Sequence, residues 1–310
     1  MRNVMVDFGA LFSGIAVNKF FHATLSGWCL AGVFVIAVSA WFLLKKRNTA
    51  FAMRSIKVGA WVGLAGILLT CYTGDGSAVE VAKHQPMKLA AMEGLYHGHK
   101  SQAITAVGIP NPAKRWNNDE DEYLADVSLP GGLSILATHD INAFVPGITD
   151  IIEGRMIAEN GDTVSTVSYA DRIAIGKRSQ QFLRDYDAAR QAGDTQAMSL
   201  AADSLKNTFQ YFGYGYFNSV DEAIPPVILT FTTFRIMVIG AGWLMLFFVV
   251  VLLCAYRNTW LQRSRIMQWV CFLTLAVVYL VSEAGWIVAE VGRQPWTCLL
   301  YTSPSPRDYA

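Results

Sequence analysis

The stretch PVILTFTTFRIMVIGAGWLMLFFVVVLLCAY, residues 226–256, decides the fold of this chain. Arg235 is the only charged side chain within it. A helix needs about 20 predominantly apolar residues to cross a hydrocarbon core of about 30 Å. Residues 226–256 therefore predict a membrane-spanning helix, and the rest of the fold depends on how many similar segments the chain contains.

Three further segments meet the same criterion, at 18–44, 54–73 and 266–290. The composition agrees, because 53% of the side chains are hydrophobic and only 16% are charged, which excludes an ordinary soluble domain. The net charge of +1 gives no general attraction for polyanions, so a nucleic acid partner is not expected. We predict an all-α integral membrane protein with four transmembrane helices.

Basic residues cluster in the two short hairpins that join these helices. Positively charged hairpins stay on the cytoplasmic side of a membrane, so the long segment between the second and third helices is expected outside. The basic residues are Lys45, Lys46, Arg47, Arg54 and Lys57 in the first hairpin and Arg257, Arg263 and Arg265 in the second.

The outer loop, roughly 150 residues long, is too long for a simple connection. Its residues 165–210 have helical periodicity and alternating charges, which is typical of a solvated amphipathic helix pair. Residues 111–126 are predicted to be exposed and mobile. The expected divisions of the chain are 1–73, 74–225, 226–297 and 298–310.

The two ends of the chain do not fit this plan. Residues 1–17 lack the charged start and apolar core of a signal peptide. The final segment CLLYTSPSPRDYA, residues 298–310, fits neither a membrane helix nor a loop and is predicted to be a non-native tail. The five cysteines show no CxxC spacing, so we interpret them as packing residues and predict neither a disulfide framework nor a zinc site.

Polar groups inside membrane helices are expensive, at about 2.5–3.5 kcal/mol for a charge, and usually have a function. His22 and Met237 offer an imidazole and a thioether, which together suit the two axial positions of a low-spin heme iron. Two other interpretations stay open: a hydrogen-bonded helix contact for His22 and core packing for Met237. Composition alone does not pair them.

The fourth helix carries Glu283, Trp286 and Glu290 as one stripe, because their spacings of three and four place them on one face. Arg293 follows one turn later. A carboxylate here can bind a ferric heme iron, take up a proton, or form a structural salt bridge with Arg293. Arg235 can pair with a heme propionate or a carboxylate.

Lys88 and Glu93 follow the second helix. A quinol needs a hydrogen-bond donor for one oxygen and a base for its protons, and these two side chains supply both. They lie about 140° apart on an ideal helix, so they are not a same-face pair. A solvated pair of charges is the other interpretation.

Several short motifs recur in a fixed order and together resemble subunit I of the cytochrome bd quinol oxidases. The resemblance extends over about residues 1–297. The motifs are KFFH (19–22), GDGS (74–77), HQPMKLAAME (84–93), FRIM (234–237), EAGW (283–286) and EVGRQPW (290–296). The family's usual Gly-Asp-Glu-Ser is Gly-Asp-Gly-Ser in this chain.

The resemblance implies that His22 and Met237 are the axial ligands of the low-spin heme b, and that Glu290 is the ligand of the high-spin heme b. Family members have nine helices, and the four spans correspond to the fifth to the eighth. The site of heme d is then expected largely on a missing N-terminal part, with Met1 an internal methionine. On this basis, the fragment alone is predicted to lack oxidase activity.

The same resemblance implies that Arg235, Trp286 and Arg293 lie beside the hemes, and that Lys88 and Glu93 take part in quinol oxidation. The outer loop corresponds to the quinol-binding Q loop of the family and resembles its long-loop branch.

The implied activity is oxidation of quinol outside a bacterial cytoplasmic membrane, with electrons passing through heme b to heme d and oxygen reduced to water. The implied partners are quinol, membrane lipid and subunit II, with a small single-helix subunit as a further candidate. Two other classes stay open: a non-catalytic heme b protein that relays electrons, and a transporter or receptor that uses Glu283, Glu290 and Arg235.

Overall fold

The computed structural model describes residues 14–157, 163–257 and 260–295. The predictions for Met1, Trp296 and the tail 298–310 lie outside the described residues. In chain order the helices are α1 (Gly14–Leu44), α2 (Thr49–His84), α3 (Pro86–Glu93), α4 (Gly132–Thr138), α5 (Ile148–Glu153), α6 (Tyr169–Ala192), α7 (Thr195–Thr208), α8 (Val227–Tyr256), α9 (Trp260–Arg263) and α10 (Arg265–Val291).

Four of these helices, α1, α2, α8 and α10, are long and apolar enough to cross a membrane. This confirms the predicted number of spans. The second helix is longer than expected, because it continues past Thr73 to His84. Gly74 and Gly76 lie within this extension, and each glycine costs a helix about 1 kcal/mol. Hydrogen bonds from Asn18 of α1 to Thr73 and Ser77 of α2 offset that cost.

The four long helices form one bundle with a shared core. Because lipid is as apolar as the helix surfaces, such helices associate through close packing at small residues. A Cβ at Gly32 of α1 would lie 2.6 Å from the Gly59 carbonyl of α2. The other contacts join Gly63 of α2 to Phe248 of α8, Gly240 of α8 to Val281 of α10, and Trp41 of α1 to Phe272 of α10. Each helix therefore contacts two others in a closed ring.

The chain divides into two compact units, Met1–Val81 with Thr232–Ala289 and Ala82–Phe231 with Glu290–Ala310. The first unit contains the bundle. The second contains the segment between α2 and α8 and begins at Ala82, because α2 carries the chain past residue 74 as a helix. Its core includes apolar side chains from α3, α5 and α6.

The second unit contains short strands that the sequence pattern did not predict. They form three antiparallel pairs, β1 with β4, β2 with β3 and β5 with β6. The strands are β1 (His99–Lys100), β2 (Ile104–Pro110), β3 (Tyr123–Leu129), β4 (Phe144–Val145), β5 (Arg155–Ile157) and β6 (Thr163–Ser165). The predicted helix pair within 165–210 is confirmed as α6 and α7.

Most of residues 111–126, which include the turn between β2 and β3, are exposed as expected, and Lys114 is the exception. Lys114 is only 4% exposed. Its Nζ donates hydrogen bonds to the carbonyls of Asn118 at 3.0 Å and Glu120 at 2.6 Å. A buried ammonium is stable when carbonyl oxygens accept its protons, and the turn supplies them locally.

Candidate functional site

His22 lies on α1 beside the outer part of α2. Its Nδ1 is 3.0 Å from Thr73 Oγ1. The Thr73 hydroxyl donates to the Leu69 carbonyl at 3.0 Å, so its oxygen can accept a proton from the imidazole. With its proton on Nδ1, the imidazole would keep a lone pair on Nε2, which is the form that binds a metal.

Asn18, one helical turn before His22 on α1, forms hydrogen bonds with the turn of α2 that contains Thr73 and Ser77. Its Nδ2 donates to the Thr73 carbonyl at 3.0 Å and to Ser77 Oγ at 2.9 Å. The Ser77 hydroxyl also donates to the Thr73 carbonyl, at 2.9 Å. These bonds stabilise the helix through Gly74 and Gly76 and fix Thr73 relative to His22. The hydrogen-bonded helix contact left open for His22 is therefore present.

Met237 lies on α8 against α10. A Cβ added to Gly285 would lie 3.1 Å from Met237 Sδ, which is tighter than ordinary packing, so the absence of a side chain at Gly285 leaves room for the thioether. Met237 itself is half-buried. It is therefore not a fully enclosed core residue.

His22 and Met237 come to a similar depth in the bundle. Gly63 of α2 and Phe248 of α8 are in contact and give a common reference level. At 1.5 Å per residue, Thr73 lies about 15 Å along α2 from that level and Met237 about 16 Å along α8, in the same direction. Since His22 is bonded to Thr73, the imidazole and the thioether lie within about one helical turn of the same level.

Arg235 is two residues from Met237 and is only 6% exposed. Its guanidinium carbon lies 5.3 Å from the centre of the Phe234 ring, a cation–π distance. A buried cation in a membrane helix is rare and costly, so Arg235 is a candidate for a functional position.

The stripe on α10 is open rather than buried. Trp286 is 64% exposed, and Glu283 is exposed as well. Glu290 Oε2 accepts a hydrogen bond from Arg293 Nη2 at 3.0 Å, and both side chains are nearly half exposed. The salt bridge left open in the sequence is therefore formed, and it uses one of the two carboxylate oxygens.

Lys88 and Glu93 lie on the short helix α3, in the second unit. Six of the eight residues of α3 are buried, whereas Lys88 is half-buried. Glu93 is 3% exposed. The interpretation of a solvated charged pair is therefore wrong for Glu93, because α3 packs into the core of the second unit.

The turn after Glu93 is held by two adjacent residues at the end of the β2–β3 hairpin. Glu122 Oε1 accepts hydrogen bonds from the backbone N–H of Tyr96 at 2.8 Å and of His97 at 3.1 Å. The Tyr123 hydroxyl donates to the Glu93 carbonyl. Gly94 ends α3 with a φ of 63°, a left-handed conformation that favours glycine.

Burial raises the pKa of Glu122, and the two backbone hydrogen bonds oppose that shift. Because the folded-state pKa is above the ordinary value, this group's contribution to stability is fully present at pH below the ordinary glutamate range. The contribution is lost as the pH rises through the raised pKa.

We expect Glu122→Gln to leave the stability of the second unit unchanged or higher at neutral pH, because the amide oxygen still accepts both N–H bonds without a buried charge. Glu122→Ala should cost about 1–3 kcal/mol, since two donors lose their acceptor. Hydrogen exchange of the backbone amides around Glu122, recorded over a pH series, measures the stability of both variants. A Gln variant with the wild-type pH dependence would show that Glu122 is not the titrating group.

The sequence analysis did not identify the residues that support His22 and Glu93. Asn18 lies four residues before His22, a spacing that puts two polar side chains on one face of an apolar helix, and this signal was available. Glu122 and Tyr123 gave no such signal, because only the fold brings them to Glu93.

Comparison with known proteins assigns the chain to a family. The family described as "Cytochrome bd terminal oxidase subunit I" matches residues 1–303. "Cytochrome bd-II ubiquinol oxidase subunit 1" of Escherichia coli (strain K12) is 30% identical over 96% of this chain and 56% of its own length. "Cytochrome bd ubiquinol oxidase subunit 1" of Bacillus subtilis (strain 168) is 29% identical over 96% of this chain and 50% of its own length.

The chain thus spans about half the length of these relatives. A solved structure, that of the bd oxidase from Geobacillus thermodenitrificans, matches 93% of this chain and 49% of its own chain with a TM-score of 0.62 and 19% identity. That likeness shows the fold, a mostly helical membrane protein. Together with the family match, it establishes that this chain belongs to the cytochrome bd terminal oxidase subunit I family.

Proposed function

We propose that this chain is the quinol-oxidising, heme b-binding part of a membrane quinol:oxygen oxidoreductase in respiratory electron transport. One observation carries the proposal: His22 and Met237, two side chains suited to iron, come from different helices of one bundle and lie at a similar depth.

The residues fit a low-spin heme b. His22 is held as the tautomer that leaves Nε2 for a ligand, and Gly285 leaves room beside Met237 Sδ. An imidazole nitrogen and a thioether sulfur are a known axial pair of cytochromes. Heme b, when bound there, supplies a one-electron acceptor. Arg235 offers a buried cation for a propionate.

For the high-spin heme b we propose Glu290 as the ligand. Its ion pair with Arg293 occupies Oε2, so the second carboxylate oxygen is available to a metal. Arg293 holds the Glu290 carboxylate in one orientation through this ion pair. Trp286, exposed on the same stripe, presents a flat ring surface suited to a macrocycle.

At the quinol site, we propose that Lys88 donates a hydrogen bond to one quinol oxygen and Glu93 accepts a proton from a quinol hydroxyl. Proton transfer to a positioned carboxylate accelerates such a step by about 10²–10⁴-fold. The burial of Glu93 and the hold of Glu122 and Tyr123 on its turn keep that base in one position.

The whole subunit is proposed to pass electrons on to heme d, where oxygen is reduced to water. The proposed partners are subunit II and a small single-helix subunit. The basic hairpins support a location in a bacterial cytoplasmic membrane with the Q loop on the outer side, because positively charged hairpins stay in the cytoplasm. A heme assay on the purified complex tests this assignment, since a protein without heme would contradict it.

We expect Gly285→Ala to weaken the low-spin heme b site, because the new methyl group would lie 3.1 Å from Met237 Sδ and displace it. Redox difference spectra should show a smaller low-spin signal at equal protein concentration. Gly242→Ala on α8 is the matched control, since a Cβ there meets no atom within 4 Å. Equal low-spin signals in the two variants would rule out this packing role.

A further inference from the structure

We propose that Thr73 is a positioning residue for the heme ligand His22, which it holds as the tautomer with the proton on Nδ1 and with Nε2 available to the iron. The proposal rests on the proposed function, because it takes His22 as the ligand. It assigns a role to a residue outside the recurring motifs, one turn before Ser77 on α2.

The direction of the hydrogen bond between these two residues follows from the partners of the threonine. Thr73 Oγ1 lies 3.0 Å from the Leu69 carbonyl and 3.1 Å from the Thr70 carbonyl. A carbonyl can only accept, so the hydroxyl is the donor in its bond to Leu69. With its proton in that bond, the hydroxyl oxygen can only accept from the imidazole, and the proposed donor is Nδ1–H of His22 at 3.0 Å.

The position of the Thr73 hydroxyl is fixed by burial and by hydrogen bonds from two helices. Thr73 is 8% exposed, which leaves little access for water to replace the hydroxyl. Its carbonyl accepts from Asn18 of α1 and from Ser77 of α2. The helix that carries His22 is therefore bonded to the same turn that orients the imidazole, and the ring cannot rotate without breaking this network.

The bonds run in one direction, from Nδ1–H to the Thr73 hydroxyl and from that hydroxyl to a backbone carbonyl. Consecutive hydrogen bonds polarise one another, and a hydrogen bond from the remote nitrogen makes a ligating imidazole more basic. A more basic ligand favours ferric over ferrous iron. Thr73 is therefore expected to lower the midpoint potential of the low-spin heme b.

The test is Thr73→Val in the assembled, heme-loaded oxidase, with the midpoint potential of the low-spin heme b as the readout. We expect about a tenfold loss of preference for the ferric state, which is an upward shift of about 59 mV for a one-electron couple. Thr73→Ser keeps the hydroxyl and should restore the wild-type potential.

Thr274→Val is the matched control. Thr274 is equally buried in the bundle, and its hydroxyl donates only to the Val270 carbonyl of its own helix at 2.7 Å. The potential should not change in this variant. If Thr73→Val and Thr274→Val have the same potential as the wild type, Thr73 does not position the ligand and the inference is overturned.

A fourth variant, His22→Ala, separates this inference from the proposed function. If it loses the low-spin heme while Thr73→Val leaves the potential unshifted, only the role of Thr73 is wrong. If His22→Ala keeps a wild-type low-spin heme, the ligand assignment itself is wrong and the role of Thr73 is overturned with it. If Thr73→Val does not assemble, Thr73→Ala takes its place with the same expected shift.

Discussion

Replacing His22 with alanine is expected to abolish the low-spin heme b signal. The substitution removes the only imidazole among the described residues of α1, and a methyl group provides no ligand for iron. If the proposed heme b is held by His22, it would lose a ligand, and the low-spin species would be absent. Dithionite-reduced minus oxidised spectra of the purified complex measure the change against total heme. Met237→Leu should act in the same way, because leucine has the size of methionine without its sulfur.

Ser26→Ala is the matched control for His22→Ala. Ser26 lies one turn further along α1, and its hydroxyl donates only to the Ala23 carbonyl of the same helix at 2.8 Å. Its spectrum should be that of the wild type. An unchanged low-spin band and midpoint potential in both His22→Ala and Met237→Leu would show that the axial ligands are other residues.

Glu93→Gln is expected to lower the rate of quinol oxidation by about 10²–10⁴-fold, with heme content and spectra unchanged. The amide keeps the size and the hydrogen-bonding oxygen of the carboxylate, so the buried turn stays folded, but it cannot take up a proton from the quinol. Steady-state oxidation of a soluble quinol analogue, with oxygen consumption followed in parallel, measures the effect.

Glu153→Gln serves as the control for this second result. Glu153 lies in the same unit, and its half-exposed carboxylate pairs with Arg155 at 2.7 Å, away from α3 in sequence. Exposed pairs of this kind contribute little stability, so wild-type turnover is expected. A Glu93→Gln variant that turned over as fast as Glu153→Gln would remove Glu93 from the role of base.

The spans could be predicted from the sequence because apolar length is a local property. Residues 226–256 alone indicate a membrane helix, and α8 ends at Tyr256 as expected. The end of α2 could not be predicted in this way. Glycines at 74 and 76 are local signals for a break, and the bonds from Asn18 that override them come from a different helix.

The same distinction between local signals and distant contacts applies to the candidate site residues. His22 could be predicted because an imidazole in an apolar helix is rare, whereas the predictions for Met237 and Glu93 depend on the resemblance of their motifs. Thr73 and Glu122 could not be predicted, since they are ordinary residues whose contacts depend on distant partners. The burial of Glu93 could not be predicted either, because it follows from the packing of α3 onto the core of the second unit.

Anaerobic mixing of the oxidised, purified complex with a quinol, while the visible spectrum is recorded, tests directly whether this chain passes electrons from quinol to heme b. We expect quinol alone to reduce a low-spin heme b, and Glu93→Gln to slow this reduction without lowering the amount of heme that dithionite reduces. A complex that contains no heme, or a low-spin heme that dithionite reduces and quinol does not, would show that the proposed function is wrong.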